Sequence, residues 1–220
     1  MTYSREKMAG ILFFIAATQF ILGLSISEAL YPNYSMSSNF ISDLGIGPSS
    51  MIFNSSVFLL GILLLIGAYL LSQISNFKTV SVLLFLMAIG AMGVGVFTKD
   101  SRTAHGVVAS MAFFFSGLST ISSSRVLKKP LSLMSIVLGI ITLGASALFS
   151  IGMMTSGSLT SDVAYDSKFY LGLGPGGMEH MIVYPAIIWL ASLSWYLIAQ
   201  QEIQTKGSVQ KQLVKWTLSN

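Results

Sequence analysis

The chain has 220 residues, of which 53% are hydrophobic and only 9% are charged. Soluble domains carry about 25% charged residues, and the mean hydropathy here is +0.75. This composition excludes a soluble enzyme or binding domain and predicts an integral membrane protein. The absence of cysteine excludes disulfides, thiol catalysis and thiolate metal sites. The net charge of +4 does not indicate nucleic-acid binding, because the basic residues fall at the ends of apolar runs.

Six apolar runs are long enough to cross a bilayer, since a helix needs about 20 residues to span the hydrocarbon. They lie near 9–30, 51–73, 79–98, 107–124, 131–153 and 179–200. The first run could instead be a secretory signal, but it is longer than the usual signal core of about 7–15 residues. The sequence therefore predicts an all-α, polytopic, monomeric six-transmembrane-helix bundle over 1–200. The polar tail at 201–220 is interpreted as an amphipathic helix at the membrane surface or as a frayed end.

The distribution of Lys and Arg predicts the orientation, because cytoplasmic loops are enriched in these residues. One side of the predicted bundle carries Arg5, Lys7, Lys78, Arg125, Lys128, Lys129, Lys206, Lys211 and Lys215. The other side carries Lys99, Arg102 and Lys168. Both termini are therefore predicted to be cytoplasmic (N-in/C-in), in a protein of the cell membrane. The predicted outer side also holds the acidic residues Asp43, Asp100, Asp162, Asp166 and Glu179.

One short motif occurs twice, just before the second and the sixth apolar runs. Residues 44–51 read LGIGPSSM and residues 171–178 read LGLGPGGM. Glycine adopts turn conformations that other residues resist, and proline suits the first turn of a helix, where its missing N–H is not needed. Each copy is therefore predicted to begin a membrane helix, and both helices are predicted to begin at the outer face.

Polar side chains near a bilayer require an explanation, because burying them there is costly. The candidates for an outward-facing ligand-binding site are Glu28, Asn39, Ser42, Asp43, Lys99, Arg102, His105, Glu179 and His180. A purely structural interpretation pairs Asp43 with Arg102 and Glu28 with Lys99, and uses Asn39 and Ser42 as helix caps. A second interpretation is binding of a lipid headgroup at the two Gly-Pro helix starts, where free N–H groups favour a phosphate. The nearby carboxylates favour a mixed-charge or a hydroxylated head instead.

The third interpretation is catalysis. Asp43, His105 and Glu179 are the candidate acid–base groups. Two histidines with acidic neighbours could also hold zinc at His105 and His180, although their spacing matches no known metal motif. No other cofactor is predicted. Transport is disfavoured, because the predicted spans carry no charge at mid-membrane, where ion and proton pathways usually place one.

Several segments resemble a known family. Residues 28–34 read EALYPNY and residues 39–45 read NFISDLG. They are similar to the first outer loop of prokaryotic membrane proteins grouped as domain of unknown function 998, whose pattern is Y-P-x-Y and then I-S-[DA]-L-G. His105-Gly106 resembles the loop histidine of that family. Residues 177–180, GMEH, resemble its G-x-x-E-R segment but carry His180 where arginine is commoner.

This resemblance implies a six-helix membrane fold and an outward polar site of Glu28, Asn39, Ser42, Asp43, His105 and Glu179, without an established reaction. The family is more distantly similar to Frag/DRAM/Sfk-type membrane proteins, some of which are linked to lipid remodelling. The lack of cysteine and the many Ile and Ser residues are expected of an archaeal thermophile.

Among these interpretations, the sequence favours a membrane protein whose outward-facing polar pocket binds a lipid headgroup or a similar amphiphile. The alternatives are a membrane-embedded lipid hydrolase or transferase that uses His105, Asp43 and Glu179, and a structural subunit of a membrane complex. Membrane lipids, and possible neighbouring membrane-protein subunits, are the expected partners.

Overall fold

The chain folds into six long α-helices. The computed structural model describes residues 4–155 and 167–219. For residues 201–219 it describes the backbone, and of their side chains only that of Thr217. The helices are α1 (Arg5–Leu30), α2 (Ser50–Ser72), α3 (Lys78–Val96), α4 (Arg102–Ser123), α5 (Leu131–Thr155) and α6 (Gly174–Ser219). The described ranges contain six helices long and apolar enough to cross a membrane, and no strand. The predicted all-α, six-helix membrane fold is confirmed.

Three helices begin at least four residues earlier than the apolar runs predict, and the first is α1, which begins at Arg5 rather than near 9. α4 begins at Arg102 rather than near 107, and α6 begins at Gly174 rather than near 179. Polar residues can form the first turn of a membrane helix, because that turn lies at the water interface and its N–H groups need no partner within the helix. His105, Glu179 and His180 therefore lie inside helices rather than just before them.

Some of the predictions fall beyond the described ranges. Asp162 and Asp166 of the predicted acidic outer surface lie outside the described residues, as do the side chains of Lys206, Lys211 and Lys215. The orientation N-in/C-in and the division of the chain at residue 200 stay predictions.

The helices form a closed ring. Each helix packs against the next in sequence, and α6 returns to pack against α1. α4 also contacts α6, so α5 packs on the outside of these two helices, where they meet. Because successive helices run antiparallel, one end of the ring gathers the ends of α1, α3 and α5 and the starts of α2, α4 and α6. We call this end, together with the connecting segment 31–49, the polar end.

Polar groups deep in the helices serve packing. The Gln19 amide donates to the Ser56 carbonyl at 3.1 Å, and the Ser56 hydroxyl donates to Gln19 Oε1 at 3.2 Å, which joins α1 to α2. The buried Trp189 indole donates to Ser123 Oγ at 2.9 Å and joins α6 to α4. Such bonds between helices are worth about 0.6 kcal/mol on average in membranes, so they orient the helices more than they stabilise the bundle.

Candidate functional site

The segment 31–49 is held on the start of α6 by backbone contacts. The Gly176 N–H donates to the Ser37 carbonyl at 3.0 Å, and the Ser37 hydroxyl donates to the Leu173 carbonyl at 2.8 Å. A Cβ atom on Gly176 would lie 1.9 Å from the Asn39 carbonyl oxygen, so only glycine allows this approach. In the motif before α2, a Cβ on Gly47 would meet nothing within 4 Å, but Gly47 has a φ of +79°, and a Cβ on Gly45 would lie 2.7 Å from Asn54 Oδ1. Both motifs lie at helix starts as predicted, and the second also joins the start of α6 to segment 31–49.

Glu179 lies at the centre of the polar end and is only 4% exposed. Its Oε2 atom accepts hydrogen bonds from the backbone N–H groups of Ile41 and, at 3.4 Å, of Ser42. These residues begin a short 3-10 helix, Ile41–Gly45. Among the described residues, the Oε1 atom of Glu179 receives no hydrogen bond, and it keeps a small accessible surface. One carboxylate oxygen therefore caps a turn, and the other has no donor within the described part of the protein.

Asp43 lies within the same 3-10 helix and caps its first turn. Its Oδ2 atom accepts from the Phe40 N–H at 2.9 Å, and its Oδ1 atom pairs with the Lys99 ammonium. The same ammonium lies 4.1 Å from the centroid of the Phe40 ring, in a cation–π contact. The predicted pairing of Lys99 with Glu28 is wrong. Lys99 follows the end of α3, where the 3-10 helix brings Asp43 within reach.

Glu28 instead pairs with His180, 152 residues further along the chain. His180 Nε2 lies 3.0 Å from Glu28 Oε1, and His180 Nδ1 lies 2.7 Å from the Gly176 carbonyl oxygen. A carbonyl can only accept, so Nδ1 carries a hydrogen. Nε2 and the Glu28 carboxyl group therefore share one proton, either as an imidazolium–carboxylate pair or as a neutral pair. This contact closes the ring between α1 and α6 at its polar end.

His105 is oriented by the end of α3. Its Nδ1 atom lies 2.8 Å from the Phe97 carbonyl oxygen and must donate to it, so in the neutral ring Nε2 is a free acceptor. Asn39 has a local role, since its Oδ1 atom accepts from the Ser35 N–H at 2.9 Å. Arg102 is exposed at the start of α4.

A cavity of about 80 Å³ lies inside the ring, beneath the polar end. Its wall is formed by α1, α2, α3, α4, α6 and the 3-10 helix, and nearly all of its side chains are apolar. Three polar residues, Ser42, His105 and Glu179, line its polar end, and Ser116 lies deeper. From His105 to Ser116 the wall follows α4 for about 16 Å at 1.5 Å per residue. This depth is about half of the roughly 30 Å hydrocarbon thickness.

The structure thus divides the predicted site residues into four groups. Ser42, His105 and Glu179 share the cavity. Asp43 with Lys99, and Glu28 with His180, form two pairs. Asn39 holds its own loop and Arg102 is exposed. Across residues 4–155 and 167–219, no three His, Asp or Glu side chains are grouped as metal ligands, and both ring nitrogens of His180 are already engaged. Zinc at His105 and His180 stays a prediction.

Tyr34, one of the polar residues that the sequence places on the predicted outer side, also lies at the polar end. Its hydroxyl is buried and has no hydrogen-bond partner among the described residues. Burial first, and then the nearby carboxylates of Glu28 and Glu179, raise the pKa of this hydroxyl far above its ordinary value. An apolar neighbourhood is not readable from the motif EALYPNY, which places Tyr34 in a polar loop.

Replacing Tyr34 with phenylalanine is expected to stabilise the protein by about 1 kcal/mol, because it removes a buried polar group without a partner. The folded protein holds this hydroxyl neutral, whereas the unfolded chain ionises it near pH 10. Stability of the native protein should therefore fall as pH rises above about 10, and Tyr34→Phe should reduce that fall. The measurement is the thermal unfolding midpoint in detergent between pH 7 and pH 11. Tyr69→Phe is the control, because Tyr69 is 59% exposed. It should change neither the stability at pH 7 nor the fall of stability above pH 10.

Residues 14–196 match a family described as protein of unknown function (DUF998). The chain belongs to this family. The match includes every candidate site residue and confirms the resemblance inferred from the loop motifs. No curated protein and no solved structure matches the chain significantly. The distant likeness to Frag/DRAM/Sfk-type proteins, the prokaryotic origin and the archaeal source stay predictions.

Family membership and the six apolar helices together identify a multi-pass membrane protein. The family description assigns no activity, so the function must be argued from the site itself.

Proposed function

We propose that this protein binds a membrane amphiphile, with an apolar chain inside the ring of helices and the headgroup at the polar end. The observation that carries the proposal is the cavity, which has an apolar wall and a polar end made by Ser42, His105 and Glu179. Small-molecule sites are mostly apolar, and a few polar groups fix the orientation of the ligand. In the cell membrane, the predicted orientation would make this site face outward.

The depth of the cavity favours a ligand from one leaflet. The wall extends about 16 Å from His105 to Ser116, which is close to one leaflet of a hydrocarbon core of about 30 Å. The volume of about 80 Å³ is below the roughly 300–1,000 Å³ of pockets that enclose a whole ligand. Only one chain, or part of one, would enter the ring, and the remainder of a lipid would stay in the bilayer.

One observation favours the alternative of a lipid hydrolase or transferase. His105 Nδ1 is held by the Phe97 carbonyl, which orients Nε2 as a base beside Glu179 on the same cavity. Asp43 is engaged by Lys99, so of the three predicted acid–base residues His105 and Glu179 are the better placed. Binding of an amphiphile is required by this alternative as well, so binding is the first step to test.

The test is native mass spectrometry of the protein purified in mild detergent. Wild-type protein is expected to carry a retained lipid mass. Ala109→Leu narrows the cavity from α4 and should reduce lipid occupancy by about tenfold or more, because the ligand loses its buried apolar contacts. Ala147→Leu adds the same atoms to an exposed position of α5 and should leave occupancy unchanged.

Equal lipid occupancy in Ala109→Leu and wild type would exclude the cavity as the binding site. The thermal unfolding midpoint of each variant shows whether the fold is retained. The same spectra report partner chains, which would support the alternative of a structural subunit.

A further inference from the structure

The polar end of the cavity offers hydrogen-bond acceptors. The Oε1 atom of Glu179 receives no hydrogen bond within the described part of the protein, because both backbone donors reach Oε2. Glu179 as a residue is only 4% exposed and lines the cavity, and its Oε1 atom keeps some accessible surface, so a ligand in the cavity can be placed against it. His105 Nε2 is a second acceptor, because Nδ1 is committed to the Phe97 carbonyl.

Ser42 adds a hydroxyl, which can donate or accept a hydrogen bond, to the two acceptors of Glu179 and His105. Its backbone N–H is directed to Glu179, while its hydroxyl makes no hydrogen bond in the described residues. The hydroxyl is not among the buried atoms that lack a partner, so it too reaches open space, and Ser42 lines the cavity. The three groups come from the 3-10 helix, α4 and α6, which are held together by the contacts described above.

The charges around this site disfavour an anionic headgroup. No lysine or arginine of the described ranges lines the cavity. Lys99 is engaged by Asp43, and Arg102 is exposed at the start of α4. Lys99 is near enough for its charge to act on Glu179, but it is already paired with Asp43, so a phosphate here would face two carboxylates and one cation.

A hydroxyl fits the site in either protonation state of Glu179. It can donate to an ionised carboxylate, or accept from a protonated one while it donates to His105 Nε2. An alkane chain alone would leave these buried polar groups without partners, which is costly. When Glu179 is protonated, a hydroxyl can therefore bond to all three polar residues at once, whereas its single hydrogen reaches only one of Glu179 and His105 when the carboxylate is ionised.

We propose that the ligand is a single-chain amphiphile with an uncharged hydroxyl headgroup, which hydrogen-bonds to Glu179 Oε1, His105 Nε2 and the Ser42 hydroxyl. This inference rests on the proposed function, because it requires that an apolar chain enter the cavity. It selects the hydroxylated head from the phosphate-bearing, mixed-charge and hydroxylated heads that the sequence leaves open.

The experiment compares three probes that share one chain: 1-dodecanol, dodecyl phosphate and dodecane. Each competes with tritiated 1-dodecanol for the full-length protein in nanodiscs. The alcohol is expected to bind at least tenfold more tightly than the phosphate and about tenfold more tightly than the alkane. Ser42→Ala removes only a hydroxyl and should weaken alcohol binding about fivefold, whereas Ser110→Ala, at an exposed position of α4, should not change it.

Glu179→Gln separates charge from shape. It keeps an oxygen for the Ile41 and Ser42 N–H groups but removes the negative charge, so the preference for alcohol over phosphate should fall by about tenfold. Ser42→Ala provides an independent readout if this variant does not fold. A phosphate that binds wild type as tightly as the alcohol would overturn the inference and leave the proposed function standing. Failure of all three probes to bind would reject both.

Discussion

Gly176→Ala is expected to destabilise the protein by about 3 kcal/mol. The added Cβ would lie 1.9 Å from the Asn39 carbonyl oxygen and 2.5 Å from that of Met36. Both are backbone atoms, so neither can move aside as a flexible side chain would, and overpacking of this kind costs about 1–3 kcal/mol or more. Displacement of the segment would also strain the Gly176–Ser37 hydrogen bond and the carbonyl that holds His180. The measurement is the free energy of unfolding in detergent, or the thermal midpoint.

Gly144→Ala is the matched control for this substitution. Gly144 lies within α5, and a Cβ there would meet nothing within 4 Å. Alanine has a higher helix propensity than glycine by about 1 kcal/mol, so this variant should be neutral or slightly more stable. If the two variants lose the same stability, the close approach of segment 31–49 to α6 is not what makes glycine necessary at position 176.

Loss of the Glu28 side chain is expected to have a similarly large effect. Glu28→Ala leaves the buried Nε2 atom of His180 without a partner and opens the contact between α1 and α6. Breaking a buried pair by removing one member costs about 3–5 kcal/mol. The Glu28 side chain is 18% exposed, so the pair is not fully buried. We therefore expect the free energy of unfolding to fall by about 3 kcal/mol, the lower end of this range. Unfolding in detergent at pH 7 measures this loss.

Glu28→Gln tests which property of the pair matters. A neutral His180 already donates through Nδ1 to the Gly176 carbonyl, so its Nε2 can accept from the glutamine amide. This variant should therefore stay within about 1 kcal/mol of wild type, since it keeps a hydrogen bond at the same place. Equal losses in Glu28→Ala and Glu28→Gln would show that the contact depends on charge, against this expectation.

Much of the fold was predictable from the sequence for a physical reason. A bilayer requires every spanning segment to satisfy its own backbone hydrogen bonds. Long apolar runs therefore predict helices directly, and proline in a Gly-Pro pair predicts a helix start. The boundaries shifted at α4 and α6, because polar first turns such as the one containing His105 carry no hydropathy signal.

The roles of the site residues were less predictable. All of the candidates were chosen because polar residues near a bilayer are few, but their partners depend on which helix ends meet. Glu28 contacts His180 only because α6 closes the ring against α1, and Lys99 contacts Asp43 only because the 3-10 helix lies at the end of α3. The burial of the Tyr34 hydroxyl was not predicted, because burial of a loop residue has no local signature.

The sequence by itself determined the class of protein, the number of helices and the set of polar residues that gather at one end, because hydropathy is a local property of the chain. The tertiary structure alone decided which of these residues pair with one another and which line the cavity. It also decided that the second copy of the repeated Gly-Pro motif packs closely against segment 31–49 through Gly174 and Gly176, whereas a Cβ at Gly47 of the first copy would meet open space. Such choices depend on distances between segments far apart in the chain, and no local pattern of residues contains them.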